Sequence, residues 1–297
     1  MLQDFIGAIS LGLIWAVMAI AIYITYKILD IADMTVEGSL TMGAAISAIC
    51  ISNGMNPYLT LILAFCGGLC TGLATGFFHT ILKIPALLSG ILTMLALYSV
   101  NLRIMGKANV SLLKMDTVFT PFENLGLSKN FAVIAVMLII VSILIAALYW
   151  FFGTELGCAI RATGNNRKMA RAQGINTRFM TIIALMLSNG LVGLGGALIA
   201  QNQSFADMSM GIGSIVIALA SLIIGEVLLG KGNFFVRLIS LVFGAIIYRI
   251  IIAFVLWLGM PSNDLRLFTA LTVAVALALP VFRGYFRTLK NSFRKEV

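Results

Sequence analysis

Charged side chains are scarce in this chain of 297 residues, where Asp, Glu, Lys and Arg together make up 10% of the sequence. A water-soluble protein carries about 25% of them, and 61% of the residues here are hydrophobic. These values exclude a soluble domain of this length. Apolar runs of about 20 residues, enough to cross a bilayer as a helix, recur along the chain. The sequence therefore predicts an all-α polytopic membrane protein.

Metal-binding and catalytic side chains are also few, since the chain has one His and four Cys. Cys66 and Cys70 share a helical face and His79 lies more than two turns further along, which does not make a tetrahedral metal site. The chain has no set of His, Asp and Glu suited to general acid–base chemistry, so an integral-membrane enzyme has no support. We predict no catalytic residue, no metal site and no cofactor bound by this chain.

Acidic residues number 11, against 20 Lys and Arg. The several buried carboxylates expected of a proton relay are missing, which counts against a proton-driven carrier. Glu226 and Arg249 lie within apolar segments. They are interpreted either as a structural ion pair or snorkelling side chains, or as gating charges of a stand-alone ion- or proton-coupled carrier or channel. The second interpretation is the alternative function.

The apolar runs predict about nine transmembrane helices in a single transmembrane domain over residues 1–297. The first, preceded only by Asp4 and followed by no small-residue cleavage site, is expected to be retained rather than removed as a signal peptide. The predicted spans are residues 5–27, 38–55, 58–82, 85–104, 130–152, 179–200, 211–230, 234–258 and 264–282.

The basic residues predict the orientation, because cationic loops stay in the cytoplasm. One side of the predicted topology carries Lys27, Lys83, Arg161, Arg167, Lys168, Arg171, Arg178, Lys231, Arg237, Arg283, Arg287, Lys290, Arg294 and Lys295. The other carries Arg103, Lys107, Lys114, Lys129 and Arg266. We therefore expect the C-terminus, with its basic tail over 283–297, to be cytoplasmic and the N-terminus to be outside. This asymmetry and anionic membrane lipids account for the net charge of +9, without nucleic acid as a partner.

Glycine is concentrated in two spans. Gly68, Gly72 and Gly76 follow one another at four-residue spacing in the third span, with Thr71 and Thr75 beside them. The sixth span is dense in small residues: Gly190, Gly193, Gly195, Gly196 and Ala197. Such stripes let helices approach closely in lipid, which predicts tight packing in transporters and static bundles alike.

Residues 225–231, GEVLLGK, match the phosphate-loop pattern GxxxxGK. However, Gly232 stands where Ser or Thr binds magnesium, and the motif closes a membrane span instead of following a strand. The match is coincidental, so we expect no ATP hydrolysis by this chain.

A long basic stretch, GTELGCAIRATGNNRKMARAQGIN, separates the fifth and sixth spans over residues 153–176. Gly164-Asn165-Asn166 is predicted to break a helix, with Asn166 capping a new one. The short helix that follows is predicted over residues 167–173 and stopped by Gly174. Such an amphipathic helix fits a cleft on a partner protein or rests on lipid headgroups, and the pattern alone favours neither.

The same stretch contains the string GxxxRAxGxNxxxAxxxGI, carried by Gly157, Arg161, Ala162, Gly164, Asn166, Ala170, Gly174 and Ile175. It resembles the coupling loop of bacterial ABC-importer permeases that serve branched-chain amino acids, ribose and related sugars, and nucleosides. The next span, with Ser188, Gly190, Gly193, Gly195 and Gly196, is similar to that branch's Sxx(A/G)GxxGG helix.

Two further segments share the resemblance. Residues 33–38, DMTVEG, are similar to a DLSVG element, with Glu37 as an insertion-like departure. Residues 217–233, IALASLIIGEVLLGKGN, resemble an AIAAVVIGGTSLXGG segment, with Glu226 in place of a glycine.

The resemblance implies a multi-pass permease of the bacterial inner or plasma membrane, paired as a homodimer with one pathway along the interface. It also implies two ABC ATPase subunits that use ATP and an extracytoplasmic solute-binding protein. A cytoplasmic coupling helix within residues 153–178 would meet each ATPase. The implied coupling residues are Arg161, Gly164, Asn165, Asn166, Arg167, Met169, Ala170, Arg171, Gly174 and Ile175.

An amino acid is the expected solute, because the departures at Glu37 and Glu226 look closer to an amino-acid or aromatic-amino-acid subgroup than to sugar permeases. Asp33, Thr35 and Glu37 begin a helix whose positive end suits polar groups, and the acidic pair suits an ammonium group. The expected pathway residues are Asp33, Thr35, Glu37, Gly38, Asn189 and Glu226.

Overall fold

The computed structural model of the protein describes residues 2–229 and 232–258, together with single residues at 267, 271 and 274. In this part of the chain the α-helices are α1 (Leu2–Ile22), α2 (Thr35–Ser52), α3 (Pro57–Thr80), α4 (Ala86–Met105), α5 (Thr120–Asn124), α6 (Lys129–Gly153), α7 (Glu155–Asn165), α8 (Arg167–Ala172), α9 (Thr177–Gln203), α10 (Ser214–Leu229) and α11 (Phe234–Trp257). The strands are β1 (Asn109–Ser111) and β2 (Phe205–Asp207). A π-helical segment over Tyr23–Ile28, here called the π turn, continues α1.

Seven helical segments are long and apolar enough to cross a membrane, which confirms a polytopic membrane protein. They are α1 with the π turn, α2, α3, α4, α6, α9 and α11. Each coincides with a predicted span to within a few residues.

The predicted span over 211–230 is not confirmed as a full crossing. Turns occupy its first residues, and α10 has 16 residues, about 24 Å at the helical rise, against a bilayer core of about 30 Å. The ninth predicted span, 264–282, and the basic tail, 283–297, lie outside the described residues.

The centre of the bundle is α9, which packs along α3 and α2 and also contacts α1. The glycine stripe of α3 faces it. A Cβ at Gly68 would overlap the carbonyl oxygen of Asn189, and one at Gly72 would overlap that of Leu185. The close helix approach predicted from the glycine spacing is therefore confirmed, and its partner is α9 of the same chain.

The connection between α1 and α2 folds back into the bundle. Ile31 donates its backbone N–H to the Thr25 carbonyl at 2.9 Å, and Asp30 has a left-handed backbone with φ 57°. As a result α2 begins beside the middle of α9, where Asp33 contacts Asn189. The first turn of α2 is thus placed inside the bundle.

The two strands depart from the all-α prediction. β1 follows α4, β2 follows α9, and they pair antiparallel with Val110 opposite Ala206. These residues lie between predicted spans, and the sequence predicts no strand there because a three-residue strand is too short to show a periodic pattern.

Successive spanning helices place their connections at two ends of the bundle. The π turn, the α3–α4 turn, α7, α8 and the α10–α11 turn lie at one end, here called the basic end for the Lys and Arg that it carries. The two strands and α5 lie at the other end.

Candidate functional site

Asp33 and Asn189 form the centre of a buried polar network between α2, α3 and α9. Asn189 Nδ2 donates to Asp33 Oδ2 at 2.7 Å, and the Ser39 hydroxyl donates to Asn189 Oδ1 at 2.7 Å. Ser39 Oγ also lies 2.7 Å from Thr71 Oγ1. Asp33 is 7% exposed and Asn189 is fully buried. Removing one partner of such a bond leaves a buried polar group unsatisfied, at a cost of about 1–3 kcal/mol.

A row of threonines extends the network to α4. Thr35 Oγ1 lies 2.6 Å from Thr75 Oγ1, and the Thr75 hydroxyl is 3.0 Å from that of Thr93. The backbone N–H of Thr35 donates to Asp33 Oδ1 at 2.9 Å, which joins the row to the Asp33–Asn189 pair. Four helices therefore meet through buried polar contacts.

Three of the predicted pathway residues, Asp33, Thr35 and Asn189, are brought together in this way. Their polar groups bond to one another or to hydroxyls of neighbouring helices. In this arrangement they hold helices together at the point where α2 begins.

Glu37 and Gly38 lie on the next part of the same helix and make different contacts. Glu37 Oε1 accepts from the backbone N–H of Gly213 at 2.9 Å, just before α10. A negative charge is favourable at this position because the N-terminus of a helix carries a partial positive charge. A Cβ at Gly38 would come within 2.8 Å of Leu97 Cδ1, and the Gly38 carbonyl accepts from Asn101 Nδ2 at 3.1 Å. Sequence reasoning missed the Glu37 contact because the partners are 176 residues apart.

Glu226 lies away from these residues, at the basic end. Its Oε2 is 3.1 Å from Lys27 Nζ, and the two side chains are 32% and 44% exposed, so the pair contributes about 1 kcal/mol or less. Arg249 lies instead over the Trp15 ring, 4.6 Å from its centroid. Glu226 therefore forms an ion pair with Lys27, and the interpretation of Glu226 and Arg249 as an ion pair with each other is wrong.

The basic stretch forms two helices joined at one residue. Thr154 caps α7, and Asn166, in an extended conformation with φ −155°, ends it. Asn166 Oδ1 accepts from the N–H groups of Lys168 at 3.1 Å and Met169 at 3.0 Å. Gly174, with φ 80°, follows the end of α8. The cap at Asn166, the short helix and its stop are as the sequence predicts.

The helix break is placed differently from the prediction. The sequence predicts a break at Gly164-Asn165-Asn166, but α7 continues through Asn165 and only Asn166 leaves the helix. Gly164 serves close packing, because a Cβ there would overlap the carbonyl oxygen of Ile28 in the π turn. Ile160 is fully buried one turn earlier, so α7 is anchored to the bundle.

The predicted coupling residues divide into anchors and an exposed tip. Ala170 is 3% exposed, Ile175 packs on the main core, and Arg171 Nε donates to Thr177 Oγ1 at 2.9 Å. Met169 points outward and is 63% exposed. The outer surface of α8 therefore presents a large apolar side chain among cations.

A cavity of about 1340 Å³ lies beside α7 at the basic end. Its walls come from the π turn, the end of α6, α7 and the start of α11, and include the predicted Arg161, Gly164 and Asn165. The Arg161 guanidinium lies over the Phe234 ring, 5.8 Å from its centroid. Sequence reasoning did not find this cavity, because its walls are far apart along the chain.

Sequence reasoning also missed Ser39, Thr71, Thr75 and Thr93 as partners of the polar network. The available signal was the position of Thr71 and Thr75 beside the glycine stripe, which places them next to the α3–α9 contact, where they bond to Ser39 and Thr35 of α2. Among the residues that the structure describes, no group of three His, Cys, Asp or Glu is placed to hold a metal ion.

Comparison with known proteins places these features in a family. The family described as "Branched-chain amino acid transport system / permease component" matches residues 5–279. The "Tyrosine transport system permease protein" of Clostridioides difficile (strain R20291) is 41% identical over 277 residues, covering 93% of this chain and 91% of that protein.

Two other relatives are more distant. The "Uncharacterized protein RP368" of Rickettsia prowazekii (strain Madrid E) is 31% identical over 277 residues, covering 92% of this chain and 96% of that protein. The "Ribose import permease protein RbsC" of Escherichia coli (strain K12) is 27% identical over 241 residues, covering 79% of this chain and 69% of that protein.

Proposed function

Because the chain belongs to the family of permease components of branched-chain amino acid transport systems, we propose that it carries an aromatic amino acid such as tyrosine. The protein is an ABC-importer permease, and its relatives favour an amino acid as the solute. The narrower proposal is carried by the 41% identity with a tyrosine transport permease over nearly the whole of both chains. Identity with the ribose permease is 27%.

Permeases of this family lack ATPase sites and work with separate ATPase subunits and a solute-binding protein. We assign the ATPase contact to α8. The 63% exposure of Met169 supports this assignment, as does the anchoring of α7 against the π turn through Gly164. An anchored helix beside an exposed apolar tip transmits a push from a partner into the bundle.

The alternative of a stand-alone carrier is not favoured. Its two proposed gating charges are engaged separately, Glu226 with Lys27 and Arg249 with Trp15.

The proposed assembly is a permease homodimer with one ATPase under each copy. The basic end faces the cytoplasm because it carries most of the Lys and Arg among the described residues, and the start of α1, at the opposite end, then lies outside. The strand pair and α5 then face the solute-binding protein.

The solute assignment is tested by ATP-dependent uptake. We expect proteoliposomes that contain the permease, its ATPase and its binding protein to accumulate labelled tyrosine only when ATP is enclosed. Excess phenylalanine should compete, whereas excess ribose should not. Competition by ribose without competition by phenylalanine would contradict the aromatic assignment, and equal uptake without ATP would contradict the coupling.

Two variants of Glu37 distinguish a structural role of this side chain from a role in substrate binding. Glu37→Gln keeps an oxygen that accepts from Gly213 N–H but loses the negative charge proposed to attract the substrate ammonium group. We expect uptake of tyrosine to fall about tenfold, as for one lost charge-assisted hydrogen bond, with Tm unchanged. Glu37→Ala should lower both uptake and Tm. Normal uptake by Glu37→Gln would limit Glu37 to holding the start of α10.

A further inference from the structure

The cavity beside α7 has a charge pattern that neither the solute pathway nor the ATPase contact uses. The charged residues that line it among those described are Lys27, Asp30, Arg161 and Arg237. Lys27 is paired with Glu226. No carboxylate within the described ranges forms an ion pair with Arg161 or Arg237. Among the described residues, two arginines, one from α7 and one from α11, therefore line the same space without an ion-pair partner, and with the single carboxylate of Asp30 the cavity keeps an excess of positive charge.

Both arginines are held by local contacts that leave some of their N–H groups free to bind a ligand. Arg237 Nε donates to the carbonyl of Gly232 at 3.2 Å, which leaves its terminal nitrogens without a bonded protein partner in the described part of the chain. Arg161 lies over the Phe234 ring, 5.8 Å from its centroid, a cation–π contact that supplies no hydrogen-bond acceptor to its N–H groups. Planar guanidinium forks of this kind match the oxygens of a phosphate.

Aromatic residues complete the walls of the cavity and indicate its level relative to the membrane surface. Tyr26 is 43% exposed and Tyr149 is 55% exposed, and both line the cavity. Exposed Tyr is typical of the membrane–water interface. The cavity therefore lies at the level where phosphate groups of lipids are found and where phosphate compounds from the aqueous side also have access.

We propose that this cavity binds a phosphate group between Arg161 and Arg237, supplied by the headgroup of an anionic phospholipid or by a soluble phosphate. The bound group bridges α7 to α11 and offsets part of the positive charge of the two guanidinium groups. It thereby links α7 to the start of α11, in addition to the contact of α7 with the π turn. Binding at this site is independent of which solute the permease carries.

Cys158 provides a direct measurement, because its thiol is free and exposed and it lines the same cavity. The full-length permease is purified, and the rate of maleimide reaction at Cys158 is followed by peptide mass spectrometry. Three probes are titrated: short-chain phosphatidylglycerol, short-chain phosphatidylcholine and inorganic phosphate. We expect phosphatidylglycerol or inorganic phosphate to slow labelling with saturation, and phosphatidylcholine, whose choline is repelled by the arginines, to act only weakly.

The variants then assign the effect to the two arginines. Arg237→Gln should lower the affinity of the protecting probe about tenfold, as for one lost charge-assisted contact, and Arg161→Gln should do the same. The matched control is Arg103→Gln with Lys107→Gln, which removes two exposed charges at the opposite end and should leave protection unchanged. Protection by phosphatidylglycerol alone identifies a lipid headgroup, and protection by inorganic phosphate identifies a soluble ligand.

Absence of protection by either probe in the unaltered protein would overturn the proposal, and so would equal protection in the arginine variants. If an arginine variant does not fold, Arg237→Lys keeps the charge without the fork, and the labelling of the unaltered protein already decides whether the site exists. Since no uptake is measured, a wrong solute assignment leaves the outcome unaffected.

Discussion

Met169→Asp abolishes ATP-driven uptake while the permease stays folded in the membrane. Met169 is the exposed tip of α8, with 63% of its surface accessible, so an aspartate there is solvated and costs the isolated permease little. In the proposed ATPase contact the same side chain fills an apolar cleft. Burying an unpaired carboxylate at the centre of an interface costs about 2 kcal/mol or more, which is at least about a thirtyfold loss of association. Co-purification of the ATPase and uptake of tyrosine measure the two effects.

Met169→Leu is the matched control, because it keeps an apolar side chain of similar volume and should retain uptake. Ala170 is a less informative position, since it is 3% exposed and a larger residue there disrupts the anchoring of α8 itself. Normal uptake by Met169→Asp would show that the ATPase does not bind the exposed face of α8. The contact would then have to involve another part of the basic end.

Gly68→Ala strongly destabilises the helix bundle. Glycine-to-alanine changes within a helix ordinarily stabilise by about 0.5–1 kcal/mol. At Gly68, however, the added methyl group would overlap the carbonyl oxygen of Asn189 in α9. The two helices must separate, and overpacking of this kind costs about 1–3 kcal/mol. The shift also displaces Asn189 from Asp33 and Ser39, so we expect a lower Tm in detergent and lower uptake together.

Gly7→Ala is the control for this prediction. A Cβ at Gly7 meets only Asn130 Nδ2 at 3.6 Å, an ordinary van der Waals distance. The Tm of the Gly7→Ala variant should therefore stay the same or rise. The opposite signs expected at two glycines in apolar helices separate helix–helix contact from helix propensity. A Tm for Gly68→Ala equal to that of Gly7→Ala would mean that α3 and α9 do not pack as closely as described.

Local features of the candidate site followed from the sequence wherever they depend on neighbouring residues. Asn166 accepts from the amides two and three positions later, and Gly174 has the positive φ that ends a helix, as its residue type indicates. The prediction that Gly164 breaks the helix was wrong, because this glycine is needed for the close approach of α7 to the π turn. Glycine suits both a helix break and a close approach, and only the position of Ile28 in space distinguishes them.

Apolar length and the Lys and Arg pattern are properties of the chain itself, because transfer into lipid and retention in the cytoplasm depend on each segment separately. The sequence alone therefore determined a polytopic membrane protein, seven of its spans within the described residues and a capped helix after Asn166. Contacts between residues far apart along the chain were decided by the tertiary structure. It bonded Glu37 to Gly213, paired Lys27 with Glu226 and placed Arg161 and Arg237 in the walls of one cavity. The physical reason is that hydrogen bonds and ion pairs act over a few ångströms, and only packing brings such partners within reach.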